Sequence, residues 1–120
     1  MVHSEARTKG QTAASLEQKQ SVAGMLEAIL GCKWSVQLLG LIEGGTARPS
    51  ALQRACPGLS AKVMNERLRK LTGYDIVRRD VLGDKPPVEV TYTLSTFGLR
   101  FTALLSEVRR LQDELDETSR

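Results

Sequence analysis

Seven side chains between Ser60 and Lys85 carry the chemistry of polyanion recognition: Ser60, Lys62, Asn65 and Arg69, then Arg78, Arg79 and Lys85. An asparagine amide can bond bidentately to adenine, Arg or Lys to guanine, and either cation to a phosphate. Such a set recognises; it neither makes nor breaks a bond. The charge around it agrees. Residues 48–85 hold nine basic side chains against four acidic ones, while 1–47 balance at four each and 99–120 carry four basic and five acidic. A local basic surface attracts a polyanion by phosphate contact and counterion release. The other reading of such a cluster is an ordinary solvated face.

Other chemistries lack their residues. His3 is the only histidine and has no cysteine nearby, so no metal site is expected. No nucleophile–base set, paired carboxylate motif or phosphate loop occurs, and neither an enzyme nor a cofactor is expected. Cys32 and Cys56 do not make a disulfide framework and are kept as candidate redox thiols. No apolar run reaches 18 residues, which with the cysteine usage reads as a cytoplasmic chain without membrane contact.

The elements that must position the basic set can be read from periodicity. Residues 1–15 are polar, small and aperiodic, the pattern of a disordered tail, and 16–120 read as one domain. Val22, Met25, Leu26, Ile29 and Leu30 make one helical stripe, broken at Gly31. A second helix from about Lys33 carries Trp34, Leu38, Leu41 and Ile42 and ends at Gly44-Gly45. Pro49 opens a short third helix through about Arg54. Cys56-Pro57-Gly58 is a turn, and Ser60 caps a fourth helix that Gly73 should stop.

On that fourth helix Met64, Leu68 and Leu71 form a core stripe. Lys62, Asn65, Glu66 and Arg69 face the other way, Lys62 and Asn65 toward the end that meets a groove floor. Arg67 lies beside the core stripe, where a long side chain can snorkel. Ile76–Leu82 and Val88–Leu94 then read as two strands joined by Gly83-Asp84-Lys85-Pro86-Pro87, with Lys85 at the tip for a minor-groove or phosphate contact. Val88, Val90, Tyr92 and Leu94 alternate with Glu89, Thr91 and Thr93. Ser95 caps a last helix striped by Leu99, Leu104, Leu105, Val108, Leu111 and Leu115. That stripe is longer than a 120-residue monomer would comfortably bury.

Helix, turn, helix, strand, turn, strand is the order of a winged helix-turn-helix. The expected fold is mainly α with a small β-hairpin: five helices plus a two-stranded wing. The chain resembles the HxlR-type winged-helix regulators of bacteria, through GCKW at 31–34, CPGLSAKVMNERLRKL at 56–71, IVRR at 76–79 and PPVEVTYTLSTFG at 86–98. The resemblance spans roughly Ser21 to Leu115. It implies a homodimer, joined through its first and last helices, that binds a roughly two-fold symmetric operator and regulates transcription. By the same resemblance Ser60, Lys62, Asn65 and Arg69 occupy recognition-helix positions and Lys85 the wing.

Four positions depart from that family's pattern. Ser21 stands where many members carry a sensing cysteine, Pro49 where Phe is usual, Asp75 where Gly precedes the wing, and Cys32 where Gly precedes Lys-Trp. The resemblance therefore does not by itself imply the family's sensing mechanism, and the effector, small-molecule or redox, is unassigned.

The expected partners are double-stranded DNA and a second copy of the chain. Val22, Met25, Leu26, Leu104, Val108, Leu111 and Leu115 are the candidate dimer contacts. A winged-helix protein–protein interaction module with little DNA affinity is the alternative.

Overall fold

A computed structural model describes residues 21–119, so the expected tail and His3 lie outside the described residues. Five helices and one hairpin follow in chain order: α1 (Val22–Leu30), α2 (Lys33–Glu43), α3 (Pro49–Arg54), α4 (Ala61–Gly73), β1 (Val77–Leu82), β2 (Glu89–Leu94) and α5 (Thr96–Thr118). The structure is the mainly helical, two-stranded winged arrangement that the sequence order implied.

Ser21 caps α1 by accepting from the Gly24 N–H at 2.9 Å, satisfying one of the orphan donors at a helix start. The chain then bends by 105° between α1 and α2. Gly44-Gly45 ends α2: Gly45 has φ 106°, and the Thr46 N–H reaches back to the Leu41 carbonyl at 2.9 Å.

The stripe of α2 is rotated from the one periodicity suggested. Leu38, Leu39 and Ile42 are its buried residues with Ser35, whereas Trp34 and Leu41 are only half-buried. Leu39 lies inward because α2 is covered from more than one side, by α1 and by α4.

The core gathers Met25 and Ile29 of α1, Leu38, Leu39 and Ile42 of α2, Leu52 and Cys56 around α3, and Met64, Leu68 and Leu71 of α4. Ile76, Val77 and Tyr92 bring in the hairpin, and Phe101 and Leu105 bring in α5. Each fully buried leucine stabilises the fold by about 1.5–3 kcal/mol relative to exposure. Met25, expected at a dimer face, is 5% exposed and belongs to this core. Its place on the α1 stripe is the inward edge, so it has no surface left for a second chain.

Among the described residues, no single helix is long and apolar enough to cross a membrane.

Candidate nucleic-acid interface

The α3–α4 connection is built by a turn that only particular residues allow. Gly58 sits at φ 94°, a conformation that favours glycine. The Leu59 N–H donates to the Cys56 carbonyl at 3.0 Å, and the Gln53 amide holds the Leu59 carbonyl at 3.2 Å. Leu59 is buried, which fixes the start of α4. Ser60 Oγ then accepts from the Val63 N–H at 3.1 Å. Ser60 therefore has a capping role whatever else it touches.

Helix α4 divides as its periodicity predicts. Met64, Leu68 and Leu71 are buried, and Lys62, Asn65, Glu66, Arg69 and Lys70 are exposed. Arg67 is half-buried, and its Nε is enclosed without a hydrogen-bond partner. Gly73 does not stop the helix; it is its last residue, and Tyr74 is the cap. The reversal comes at Asp75, with φ 64°, where the Asp75 N–H bonds the Thr72 carbonyl at 2.9 Å and the Ile76 N–H bonds that of Leu71 at 3.1 Å. Asparagine and aspartate tolerate this left-handed conformation better than most residues, which is why Asp can stand where the family usually has Gly.

The wing pairs antiparallel, with Val77 opposite Leu94, Arg79 opposite Tyr92 and Val81 opposite Val90. Side chains alternate across the pleat, so Arg78 and Arg79, neighbours in sequence, point to opposite faces. Lys85 is exposed in the loop, near Gly83 with φ 106°. The Tyr92 N–H bonds the Ala47 carbonyl at 2.8 Å, and Arg48 pairs with Glu89 at 3.0 Å, tying the segment before α3 to the edge of β2.

Between α4 and the wing lies a cleft of about 630 Å³, lined by Asn65, Arg69, Thr72, Gly73, Arg79 and Tyr92. Three of the sequence-selected residues, Asn65, Arg69 and Arg79, are brought together there. Ser60, Lys62, Arg78 and Lys85 lie outside it. Thr72 and Tyr92 escaped the sequence reading because one reads as a helix-end filler and the other as core. The pairing of Tyr92 opposite Arg79, which hairpin register could have suggested, is the signal that finds them.

A second arrangement joins the wing to α5. Ser95 Oγ accepts from the Gly98 N–H at 2.8 Å and donates to the Asp75 carbonyl at 2.6 Å, while the Ser95 N–H donates to the Ile76 carbonyl at 3.0 Å. A Cβ on Gly98 would lie 2.0 Å from the Ile76 carbonyl oxygen. Only glycine permits that approach.

The two cysteines differ. Cys56 is buried, and burial pushes its thiol up, the opposite of what a reactive thiol needs. It is therefore withdrawn as a redox candidate. Cys32 is half-buried at the cap of α2. Burial raises its pKa, but hydrogen bonds with Ser35, the Arg67 charge and the Trp34 backbone outweigh it, and the thiol falls below its ordinary value. Among the described residues no group of three or more His, Cys, Asp or Glu could hold a metal ion.

The proposed dimer contacts fall on α1 and α5. Val22 is 41% exposed and Leu104 42%, rising to 58% at Leu111 and 59% at Leu115; Leu26 and Val108 are half-buried. Leu105, on the same stripe, is buried in the protomer's own core.

Known proteins share this construction. The chain is 31% identical over 90 residues to the HTH-type transcriptional regulator YodB of Bacillus subtilis, covering 75% of this chain and 80% of that one. It is 35% identical over 92 residues to an uncharacterized HTH-type transcriptional regulator, sll1512, of Synechocystis sp., covering 76% and 67%. The crystal structure of diamide-treated YodB from B. subtilis superposes with a TM-score of 0.65 at 31% identity, over 72% of this chain and 85% of that one. The model of the HxlR-like helix-turn-helix matches residues 29–119. With α2 to α4, the wing and α5 all inside that span, the chain belongs to the HxlR-like helix-turn-helix family.

Proposed function

We propose that this DNA-binding transcriptional regulator works as a homodimer on a roughly two-fold symmetric operator, with α4 in the major groove and the wing on the flanking backbone or minor groove. The observation that carries the reading is the division of α4. Met64, Leu68 and Leu71 are spent on the core, and the long polar side chains left outward are Lys62, Asn65, Glu66, Arg69 and Lys70, beside a wing bearing Arg78, Arg79 and Lys85. Lys62, Asn65 and Arg69 would meet bases or phosphates, with Ser60 at the helix start, and Lys85 would reach past the backbone.

The dimer reading is supported by the exposed stripe of α5, with Val22 of α1 beside Phe97, Phe101 and Leu104 in its first half. One recognition helix reads few bases, and a two-fold partner doubles the site. The protein would act in the cytoplasm. Cys32 is the thiol through which a redox effector could act, and the effector itself is unassigned.

Selection of bound duplexes from a random library, followed by affinity measured across salt concentrations, tests this. The expected result is an enriched site with two-fold symmetry and a steep salt dependence. Weak, uniform binding with no enrichment would overturn it in favour of a protein–protein interaction module.

A further inference from the structure

We propose that the outer edge of β1 is a pairing surface for β1 of a second copy of this chain, antiparallel about a two-fold axis at Val81. The two wings would then share one continuous sheet. This goes beyond the operator reading and rests on neither DNA binding nor the α5 contact.

The two edges of the hairpin differ. Beyond β2, the Tyr92 N–H bonds the Ala47 carbonyl and Arg48 pairs with Glu89, so that edge is tied to the protomer. Beyond β1 no strand follows among the described residues, and residues 78–82 make no backbone bond outside the hairpin. Such an edge is a row of N–H and C=O groups ready to accept another strand. Two common protections are missing: β1 holds no proline, and it matches β2 residue for residue without a bulge. Val81 is 47% exposed and Leu82 54%, apolar surface that the protomer leaves uncovered.

Charge chooses the partner and the register. Side chains alternate with a period of two, so a two-fold axis normal to the sheet must place some residue opposite its own copy. Val77 is buried, which leaves the positions from Arg78 to Leu82 as centres. Centring on Arg78, Arg79 or Asp80 sets like charges against each other, and centring on Leu82 brings Asp80 toward the partner's Asp84. Centring on Val81 avoids both. It sets Val81 against its copy and carries each Arg78 toward Asp84 of the other chain, an opposite-charge pair made twice. Neither side chain is engaged within the protomer, since the ion pairs among the described residues are Arg48–Glu89 and Arg110–Glu107. Val81 faces Val90 within the hairpin, so this register also lines up both valines and their copies in one row across the shared sheet. Charges on an edge strand ordinarily keep other strands away. These reject every self-pairing but one. A second copy supplies the matching order automatically, whereas any other strand would need it by coincidence. The interface is small, so pairing is weak between free chains and grows where copies are held side by side.

The test is oxidative cross-linking of the full chain without DNA. Opposed residues of an antiparallel pair lie about 4.5–5.5 Å apart at Cα, within the span of a disulfide. In Val81→Cys the introduced thiols would meet, whereas in Arg79→Cys, on the same face, they would be offset by about 13 Å along the strands. Val81→Cys should therefore cross-link to its copy about 10-fold faster than Arg79→Cys in mild oxidant, with mass spectrometry assigning the bond. Adding Arg78→Glu to Val81→Cys should slow the reaction about 5-fold, and adding Asp84→Arg to that variant should restore it. All four positions are exposed, and an unchanged thermal midpoint confirms the fold.

Equal rates for Val81→Cys and Arg79→Cys would reduce the contact to chance collision and overturn the pairing. Slowing by Arg78→Glu that Asp84→Arg failed to restore would overturn the register. A chain that selected no operator would leave these rates unchanged, so failure of the DNA reading and failure of this one are told apart.

Discussion

Helices α4 and α5 carry apolar stripes of similar spacing and use them differently. In α4 every large apolar residue on the stripe is buried, and the long side chains that face outward are polar. In α5 only Phe101 and Leu105 among the large apolar residues are buried, and Leu99, Leu104, Leu111 and Leu115 stay exposed along the helix. A helix whose stripe is consumed by its own fold has only a polar face to offer a partner. A helix whose stripe outlasts the fold offers an apolar one. Periodicity alone shows the stripe in both cases; the length of the protomer beneath it decides what each helix is for.

That contrast can be broken or sharpened by substitution. Leu68→Ala should destabilise the protomer by about 2–5 kcal/mol in denaturant unfolding, because it opens a cavity beneath α4. Leu111→Ala in a dilute, monomeric sample should change it by less than about 0.5 kcal/mol and act on dimer association instead. Equal losses at the two sites would erase the distinction between the helices. Gly98→Ala, at the junction of the two regions, should cost about 3 kcal/mol, since its Cβ would drive into the Ile76 carbonyl and main chain must move.

Lys62→Ala and Arg69→Ala should each cost about 1–3 kcal/mol of operator binding with no change in unfolding midpoint. A drop in stability instead would mean that the polar face of α4 is structural. At the small end, Ser60→Ala should cost about 1 kcal/mol. Ser95→Ala should cost more, because that hydroxyl is both cap and donor to Asp75. Thiol labelling gives a final check: Cys32 should react first, and Cys56 only as the chain unfolds.

Much of this was legible in the sequence where one element decides the outcome. The caps at Ser60 and Ser95, the helix end at Gly44-Gly45 and the sides of α4 all follow from local rules, and all appear in the structure. Failures came where a second element intervenes. Met25 lies on the α1 stripe as read, but it was assigned to a dimer face and is buried in the protomer's own core. Leu39 lies off the simple stripe of α2 and is buried because α2 is covered from more than one side. Gly73 looks like a stop, yet Asp75 makes the reversal. The cleft was invisible for the same reason: Arg69 and Arg79 are on different elements, and only the folding of the wing against α4 brings them to one place.

The Ser95–Gly98 junction has a consequence for how operators could diverge. It welds the start of α5 to the end of α4 and the root of the wing, so the direction of the long helix is not adjustable relative to the reading head. In a homodimer built on α5, the two reading heads then behave as the jaws of a caliper whose opening is set far from the DNA. One residue inserted in α5 beyond Leu105 would advance the contact by about 1.5 Å and rotate it by about 100°. That would throw the jaws out of phase with the helical repeat of DNA, about 34–36 Å. New base preferences would be sought in α4, but new half-site spacing in the exposed turns of α5.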